Sequence, residues 1–312
     1  MKRVVGIGFI LFILLSGIFA YQYSKFYDGK FHVVFCDVGQ GDAIFLRTPK
    51  GADILVDGGT ASPAKRGEPD DSVLSCLAGH MPFWDRDLEL VILTHPHADH
   101  LNGLINVLDH YEIGLFATEN IKNNTGGFSG LMDELRNQNI TIQHVYAGDR
   151  FVFKGGVVLR IAGPSKEFIK KTSPGGVIGE RREFASVLSF VKYKGFEVLL
   201  TGDSQALGLK EAIQSFDSFG KAQDKSAQDF STVSVLQVPH HGSKTGLSSS
   251  ILDFIKPELA VISVGKNNKY GHPAKEIIEI LNEKNIKILR TDRDGEIEIV
   301  SDGAIFKVAK LR

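Results

Sequence analysis

Cysteine is almost missing from this chain: Cys36 and Cys76 are the two in 312 residues, and neither sits in a Cys-x-x-Cys or other ligand spacing. That excludes a disulfide-rich scaffold and a thiolate metal site, allows at most one internal bridge, and leaves burial as small core residues as the expected role of both. A surplus of positive charge is missing too. Lys and Arg number 36 against 37 acidic residues, a formal net charge of −1, so the broad basic footprint of a protein that holds nucleic acid by phosphate neutralisation is absent and any such grip must be local. There is no internal repeat at solenoid spacing. What is present, 43% hydrophobic and 23% charged residues, is ordinary globular composition. The 33 glycines fall mostly where strands should end, which points to tight turns and a strand-rich fold.

One long apolar run stands at the N-terminus. Met1, Lys2 and Arg3 lead into an uncharged stretch from Val4 to Tyr21, followed by Tyr23, Phe26 and Tyr27. A bilayer span needs about 17 to 25 apolar residues, and this run is at the short end, which also suits a secretory signal. A cut after Ala20 would put Ile18 at the outer small-residue position, and the tyrosines suit an interfacial belt, so an uncleaved anchor is favoured. Lys2 and Arg3 then stay on the cytoplasmic side, with the rest of the chain outside the cytoplasm, or secreted if the segment is removed. Residues 1–29 are read as a membrane anchor or signal, and residues 30–312 as one domain.

Past Lys30 the sequence becomes short apolar runs ending in Asp or Gly. Strands are expected at 31–36, 43–47, 52–56, 88–93, 150–153, 157–162, 187–193, 197–200, 233–238 and 259–264, with two more after Ile286. Helices are expected near 73–78, 102–111, 131–137, 206–214 and 274–284, the last with Pro273 as its first residue. Residues 60–72 read as a polar loop, 165–183 as a mobile loop overhanging a site, and 217–231 as a polar insertion.

The segment Leu93-Thr94-His95-Pro96-His97-Ala98-Asp99-His100 packs three imidazoles and a carboxylate into six positions directly after a strand. Pro96 prevents a regular helix or central strand there, so the side chains should fan out from a loop that leads into a helix at Leu101. Two alternate histidines can address one metal ion while Asp99 and His100 address a second. Imidazole and carboxylate donors suit Zn²⁺, Mn²⁺ or Fe²⁺.

The segment resembles the His-x-His-x-Asp-His signature of the metallo-β-lactamase superfamily. Asp37-Val38-Gly39-Gln40-Gly41-Asp42, Val238-Pro239-His240-His241-Gly242-Ser243-Lys244, Val264-Gly265-Lys266-Asn267 and Tyr270-Gly271-His272-Pro273 narrow the likeness to the extracytoplasmic hydrolase domain of ComEC-type competence proteins, from about residue 31 onward. The resemblance implies an α/β fold, a four-layer αββα sandwich, here preceded by the membrane segment. It implies two divalent ions, Zn or Mn: His95 and His97 on the first, Asp99 and His100 on the second, and Asp203 between them. One of His240 and His241 completes the second ion and the other meets substrate. His240 is assigned to the metal and His241, with Asp99, His272 and Lys244, to the chemistry. Asp57 resembles the family aspartate that braces the histidine loop, and Asp37 and Asp42 flank a turn on the same rim. One family feature is missing: no third histidine for the first ion precedes Asp203, since His144 lies too far upstream and Glu183, Phe184, Ala185 and Ser186 occupy the stretch.

The expected reaction is attack by a hydroxide, held by the cations, on a phosphodiester of DNA, the alternatives being hydrolysis of a lactone, thioester or other small ester, or metal-containing binding without turnover. A single membrane segment forms no transport channel, so the partners expected are DNA, the membrane and a DNA-uptake channel.

Overall fold

A computed structural model describes residues 2–60, 73–180, 184–223 and 233–309. The first half runs α1 (Lys2–Phe26), β1 (Phe31–Phe35), β2 (Ile44–Arg47), β3 (Asp53–Val56), α2 (Val73–His80), β4 (Asp87–Leu88), β5 (Leu90–Leu93), α3 (Ala98–Leu108), β6 (Glu112–Ile113), β7 (Phe116–Thr118), α4 (Gly126–Asn137) and β8 (Ile142–His144). The second half runs β9 (Arg150–Phe153), β10 (Val157–Gly163), α5 (Lys166–Thr172), β11 (Leu188–Tyr193), β12 (Phe196–Leu200), α6 (Ala206–Gln223), β13 (Val235–Gln237), α7 (Ser249–Ile255), β14 (Leu259–Ile262), α8 (Lys275–Glu283), β15 (Lys287–Arg290), α9 (Thr291–Asp294), β16 (Ile297–Ser301) and β17 (Phe306–Val308). Eight strands pair in the order β17-β16-β1-β2-β3-β5-β7-β8, and seven in the order β15-β14-β13-β12-β11-β10-β9.

The period-two alternation of each strand divides its side chains between two cores. On β1, Phe31, Val33 and Phe35 face inward, and with Leu46, Ile54 and Val56 they meet Leu159, Ile161, Val191 and Leu200 of the opposite sheet. Val34 faces outward with Phe45, Leu55 and Val91, into a core closed by Leu77 of α2, Leu104 of α3 and Leu131 of α4. The outer face of the second sheet, carrying Leu199, Leu236 and Ala260, is covered by Leu209 of α6, Leu252 of α7 and Leu281 of α8. The result is the expected helix–sheet–sheet–helix sandwich.

β3, β5, β7 and β8 run parallel in one sheet, and β12 to β15 in the other. Open parallel sheets place their ligand sites beyond the carboxyl ends of the strands, and here the ends of β3, β5, β12 and β13 gather on one edge.

Several expectations are corrected. Cys36, just past β1, and Cys76 on α2 form a disulfide. They are core residues, but bonded ones, because the outer core of the first sheet brings strand end and helix together. Residues 165–183 are not all loop: Ser165 caps α5 by accepting from the Phe168 amide, and Phe168 and Ile169 are buried. The helix from Ala206 continues through Gln223, so the front of the expected 217–231 insertion is helical, and the rest of that insertion lies outside the described residues. Most of the expected 60–72 loop lies outside them as well. Helix α8 starts at Lys275 with Ala274 as its cap, placing Pro273 before the helix behind a cis peptide bond. Past Ile286 there are three strands rather than two.

The disulfide closes a loop of 40 residues, for which the chain-entropy relation gives about 3–4 kcal/mol of stabilisation. Adding reductant, or Cys76→Ala, should lower the unfolding free energy by that amount, read by circular dichroism as a denaturant midpoint lowered by the same free energy divided by the m-value.

Candidate metal centre

β5 is the apolar run Leu90–Leu93, buried throughout. Pro96 stops the ladder, His97 takes an extended conformation as the N-cap, and α3 begins at Ala98, earlier than the sequence pattern indicated. Asp99 and His100 therefore stand on the first turn of a helix, where unpaired amides favour a carboxylate.

Asp57, closing β3 with a φ of 60°, braces this loop. Its Oδ1 accepts from the Thr94 amide (2.7 Å), and its Oδ2 accepts from Thr94 Oγ1 (2.7 Å) and from His100 Nδ1 (2.8 Å). With Nδ1–H given to Asp57, the Nε2 of His100 is left buried without a hydrogen-bond partner, 3.3 Å from Asp203 Oδ1. His241 repeats the arrangement: Nδ1 donates to the Ser263 carbonyl (3.0 Å), and Nε2, also orphaned, lies 3.3 Å from Asp203 Oδ1 and 3.5 Å from Asp99 Oδ2. Three unpartnered buried atoms, His100 Nε2, His241 Nε2 and Asp203 Oδ1, thus converge on one point. Buried polar atoms are otherwise almost always paired, and a divalent cation fits this donor set.

The other oxygen of Asp203 faces a second group. Oδ2 lies 3.6 Å from His95 Nε2 and 3.7 Å from His240 Nε2, while His97 Nδ1 is 2.9 Å from His95 Nε2. His95, His97 and Asp203 offer donor atoms within 4.8 Å of one another, and so do Asp42, His100, Asp203 and His241. Asp42 approaches the Nδ1 atoms of His100 and His241 (both 3.9 Å), which Asp57 and Ser263 already engage, and its Oδ2 accepts from the Gln237 amide (2.7 Å). It charges the back of the two imidazoles, whereas Asp99 faces the Nε2 side.

Two glycines permit this convergence. A Cβ on Gly202, at φ +49°, would stand 2.5 Å from Ser186 Oγ and 2.8 Å from Thr94 Oγ1, so only glycine lets the loop carrying Asp203 close on the β5 loop. A Cβ on Gly41 would stand 2.0 Å from the Asp99 carbonyl. His240 and His241 themselves adopt φ of 53° and 54°. Left-handed backbone costs a non-glycine residue about 1–2 kcal/mol, a strain held here by the surrounding packing.

Where a third histidine of the first group would be expected, Phe184 packs instead. Its ring stacks on His95 at 5.2 Å and meets His97 edge-on at 5.1 Å. Nearby, Ser186 Oγ is buried without a partner. Glu183 lies outside the described residues.

The charge pattern separates the imidazoles. Burial and neighbouring His100 push the His95 imidazole well down, and burial also lowers His97 and His240, leaving these three neutral. Burial works against the charged form of His241 as well, but Asp203, Asp42 and Asp99 outweigh it and hold that imidazole at about 9. Asp203 stays well below the usual carboxylate range in spite of its burial, because His241, His100 and His95 surround it. Burial raises Asp42 to about 6.

Of the remaining sequence-derived candidates, His272 lies at the rim, its ring 5.8 Å from His240 and stacked at 6.0 Å on exposed Tyr270. Lys244 is exposed, and no hydrogen bond or ion pair ties it to the cluster among the described residues. Asp37 is partly exposed on the β1–β2 turn. Sequence reasoning missed Thr94, Ser263 and Gln237. The Gln237 Oε1 accepts from the amides of Thr201 (2.8 Å) and Gly202 (3.2 Å) while its amide donates to Asp42, locking the Asp203 loop to the β1–β2 turn. The available signal was a polar residue in the apolar strand run 233–238.

A family profile described as the metallo-beta-lactamase superfamily matches residues 36–266. The chain is 26% identical over 270 residues to ComE operon protein 3 of Bacillus subtilis (strain 168), covering 84% of this chain and 32% of that protein. It is 25% identical over 305 residues to competence protein ComA of Neisseria gonorrhoeae, covering 96% and 36%. The chain thus spans about a third of the length of these relatives. Among solved structures, CmlA, a diiron beta-hydroxylase from Streptomyces venezuelae, superposes with a TM-score of 0.53 at 12% identity over 90% of this chain and 54% of that one, a likeness of fold. Matched by the profile over more than half its length, and carrying most strands of both sheets and the histidine loop inside the matched region, the chain belongs to the metallo-beta-lactamase superfamily.

Proposed function

We propose that the chain is a dinuclear metal-dependent phosphodiesterase acting on DNA outside the cytoplasm, held at the membrane by α1. The observation that carries this reading is the division of the imidazoles by one carboxylate: His100 and His241 face Oδ1 of Asp203, His95 and His240 face Oδ2. One ion is assigned to His95, His97, His240 and Asp203, the other to Asp99, His100, His241 and Asp203. His240 thereby moves from the second ion, where it was first placed, to the first, and takes the role of the missing third histidine. His241 moves from substrate contact to the second ion.

Paired divalent cations, Zn or Mn, supply a lowered water pKa and neutralise charge developing on phosphoryl oxygens. The chain's own residues do the rest. Asp57, through Thr94 and His100, and Ser263, through His241, fix the imidazoles with Nε2 forward. Phe184 covers one flank against water. His272, on the open rim beside His240, is placed to hold or give a proton at the departing oxygen.

Location outside the cytoplasm is supported by Lys2 and Arg3 ahead of the apolar helix and by the Cys36–Cys76 disulfide, a bond favoured in oxidising compartments. DNA as the substrate class is supported by the competence proteins among the relatives and by the rim. Tyr270 is 72% exposed and stacked on His272, with exposed Lys266 and Lys269 beside it, which is a stacking platform with local positive charge in a neutral chain. Tyr270→Ala should raise KM for single-stranded DNA by about tenfold with little change in kcat, since a stacked base contributes about 1–3 kcal/mol. Steady-state kinetics on a labelled oligonucleotide reads this out. The activity itself is tested by incubating the protein with Mn²⁺ or Zn²⁺ and single-stranded DNA in parallel with lactone and thioester substrates. Ester turnover without DNA cleavage would replace the phosphodiesterase assignment with the small-ester one.

A further inference from the structure

α1 is not tethered to the domain by a free linker. Its last turn is clamped: buried Arg47 donates from Nε to the Phe26 carbonyl (3.1 Å), Lys25 donates to the Gly79 carbonyl at the end of α2 (3.1 Å), and the Arg47 guanidinium lies over the Tyr27 ring. The helix therefore leaves the domain in one direction. Along that direction the domain follows it. The loop after α2 carries Phe83 and Trp84, which pack edge to face at 4.9 Å, and Trp84 stacks on Phe19 of α1 at 4.7 Å. Phe83 is 62% exposed and Trp84 36%, while every large apolar side chain of α1 from Ile7 to Tyr23 is at least 50% exposed.

The position of Phe19 decides what covers these rings. It precedes Phe26 by seven residues, about 10 Å along a helix. The candidate span is Ile7–Phe26, 20 residues, just enough for a hydrocarbon core of about 30 Å. Were the bilayer to end short of Phe19, the apolar residues from Val4 to Ile18 would be too few to cross it. A helix that spans must carry Phe19 at membrane depth, and Trp84 with it.

We infer that the Phe83–Trp84 loop is a second membrane contact, inserted at the lipid interface beside α1, so that the domain stands on the bilayer in a fixed orientation. The inference rests on α1 being the anchor. An exposed tryptophan next to an exposed phenylalanine is the composition of an interfacial anchor, and Tyr21 (65% exposed) and Tyr23 (54%) continue the belt on the helix itself. The orientation has a consequence for the metal centre. Arg47 ends β2 and its partner Asp53 begins β3, at the anchor end of the first sheet, whereas Asp57 and His95 lie past the opposite ends of β3 and β5. The cleft faces away from the lipid, separated from the anchor end of the sheet by roughly 13 Å of strand, and is open to a polymer arriving from outside.

Trp84 is the one tryptophan of the chain, so its fluorescence reports on this loop alone. The full chain, reconstituted into phosphatidylcholine–phosphatidylglycerol vesicles and recovered by flotation, should lose at least about half its emission when the lipid is brominated high on the acyl chains, and be nearly insensitive to aqueous iodide. Protein that floats but is quenched by iodide and spared by bromolipid overturns the contact while keeping the anchor. Protein that stays at the bottom of the gradient overturns both.

Discussion

Asp203→Ala should lose both ions together and cut hydrolysis of single-stranded DNA by at least about 10³-fold, beyond the effect of removing a single stabilising group. The reason is geometric. One carboxylate offers Oδ1 to His100 and His241 and Oδ2 to His95 and His240, and among the described residues no other side chain belongs to both groups. His240→Ala should lower occupancy of the first ion and His241→Ala that of the second, each leaving near-normal content of the other. Elemental analysis after dialysis against limiting Mn²⁺, with circular dichroism to confirm folding, separates these outcomes. Undiminished ion content in Asp203→Ala would remove that carboxylate from the centre.

Ion uptake should also depend on pH in a definite direction. The carboxylates around His241 hold its imidazole at about 9, and His100 is raised well above the ordinary histidine value by Asp203 and Asp57 against the effect of burial. Below those values protons sit where a cation must bind, so uptake releases protons and the affinity rises with pH up to about 9, by about tenfold per unit for each proton displaced. Titration calorimetry in two buffers of different ionisation enthalpy measures the proton count. An affinity that stays flat between pH 6 and 9 would mean that neither imidazole faces the ion.

The histidine loop could be read from the sequence because its residues are contiguous and Pro96 forces them out of regular structure; strands could be read from apolar runs such as Phe31–Phe35, while their stacking into four layers was implied by the family resemblance alone. The division of labour between His240 and His241 could not. Adjacent side chains normally diverge in a predictable way, but here both residues adopt left-handed φ, and which group each imidazole joins depends on that pair of dihedrals. The Cys36–Cys76 bond was hidden for a different reason: it depends on α2 crossing the end of β1, a contact between elements 40 residues apart. Helix α5 escaped because its apolar content is one pair, Phe168 and Ile169, too short for periodicity, so that the Ser165 cap was the single legible mark. Phe184 could be seen to stand near the missing third histidine, but not that its ring would pack against the very imidazoles such a ligand would join.

The second large effect lies at the far end of the first sheet. Arg47→Met should destabilise the domain by about 3 kcal/mol at neutral pH, because the guanidinium is almost wholly buried and holds the Phe26 carbonyl, Asp53 and Asp85 at once. The loss should grow in alkali. Burial raises Asp53 to about 8 even with Arg47 beside it, so below that pH the folded protein and the variant both carry a largely neutral carboxyl, and the difference between them is that of lost hydrogen bonds. A carboxyl whose folded pKa is raised stabilises the fold at low pH and ceases to do so as pH climbs through that value. In the wild type the decline should level off above about 8. Without Arg47 the folded pKa moves higher still, so the variant should keep losing stability where the wild type has levelled. Urea melts across this range read the divergence directly, and adding Asp53→Leu to Arg47→Met should remove it, since the buried acid that Arg47 faces is then gone. Because Arg47 also fastens Phe26, the same substitution should free α1 from its fixed direction and make Trp84 in vesicle-bound protein more accessible to aqueous quencher.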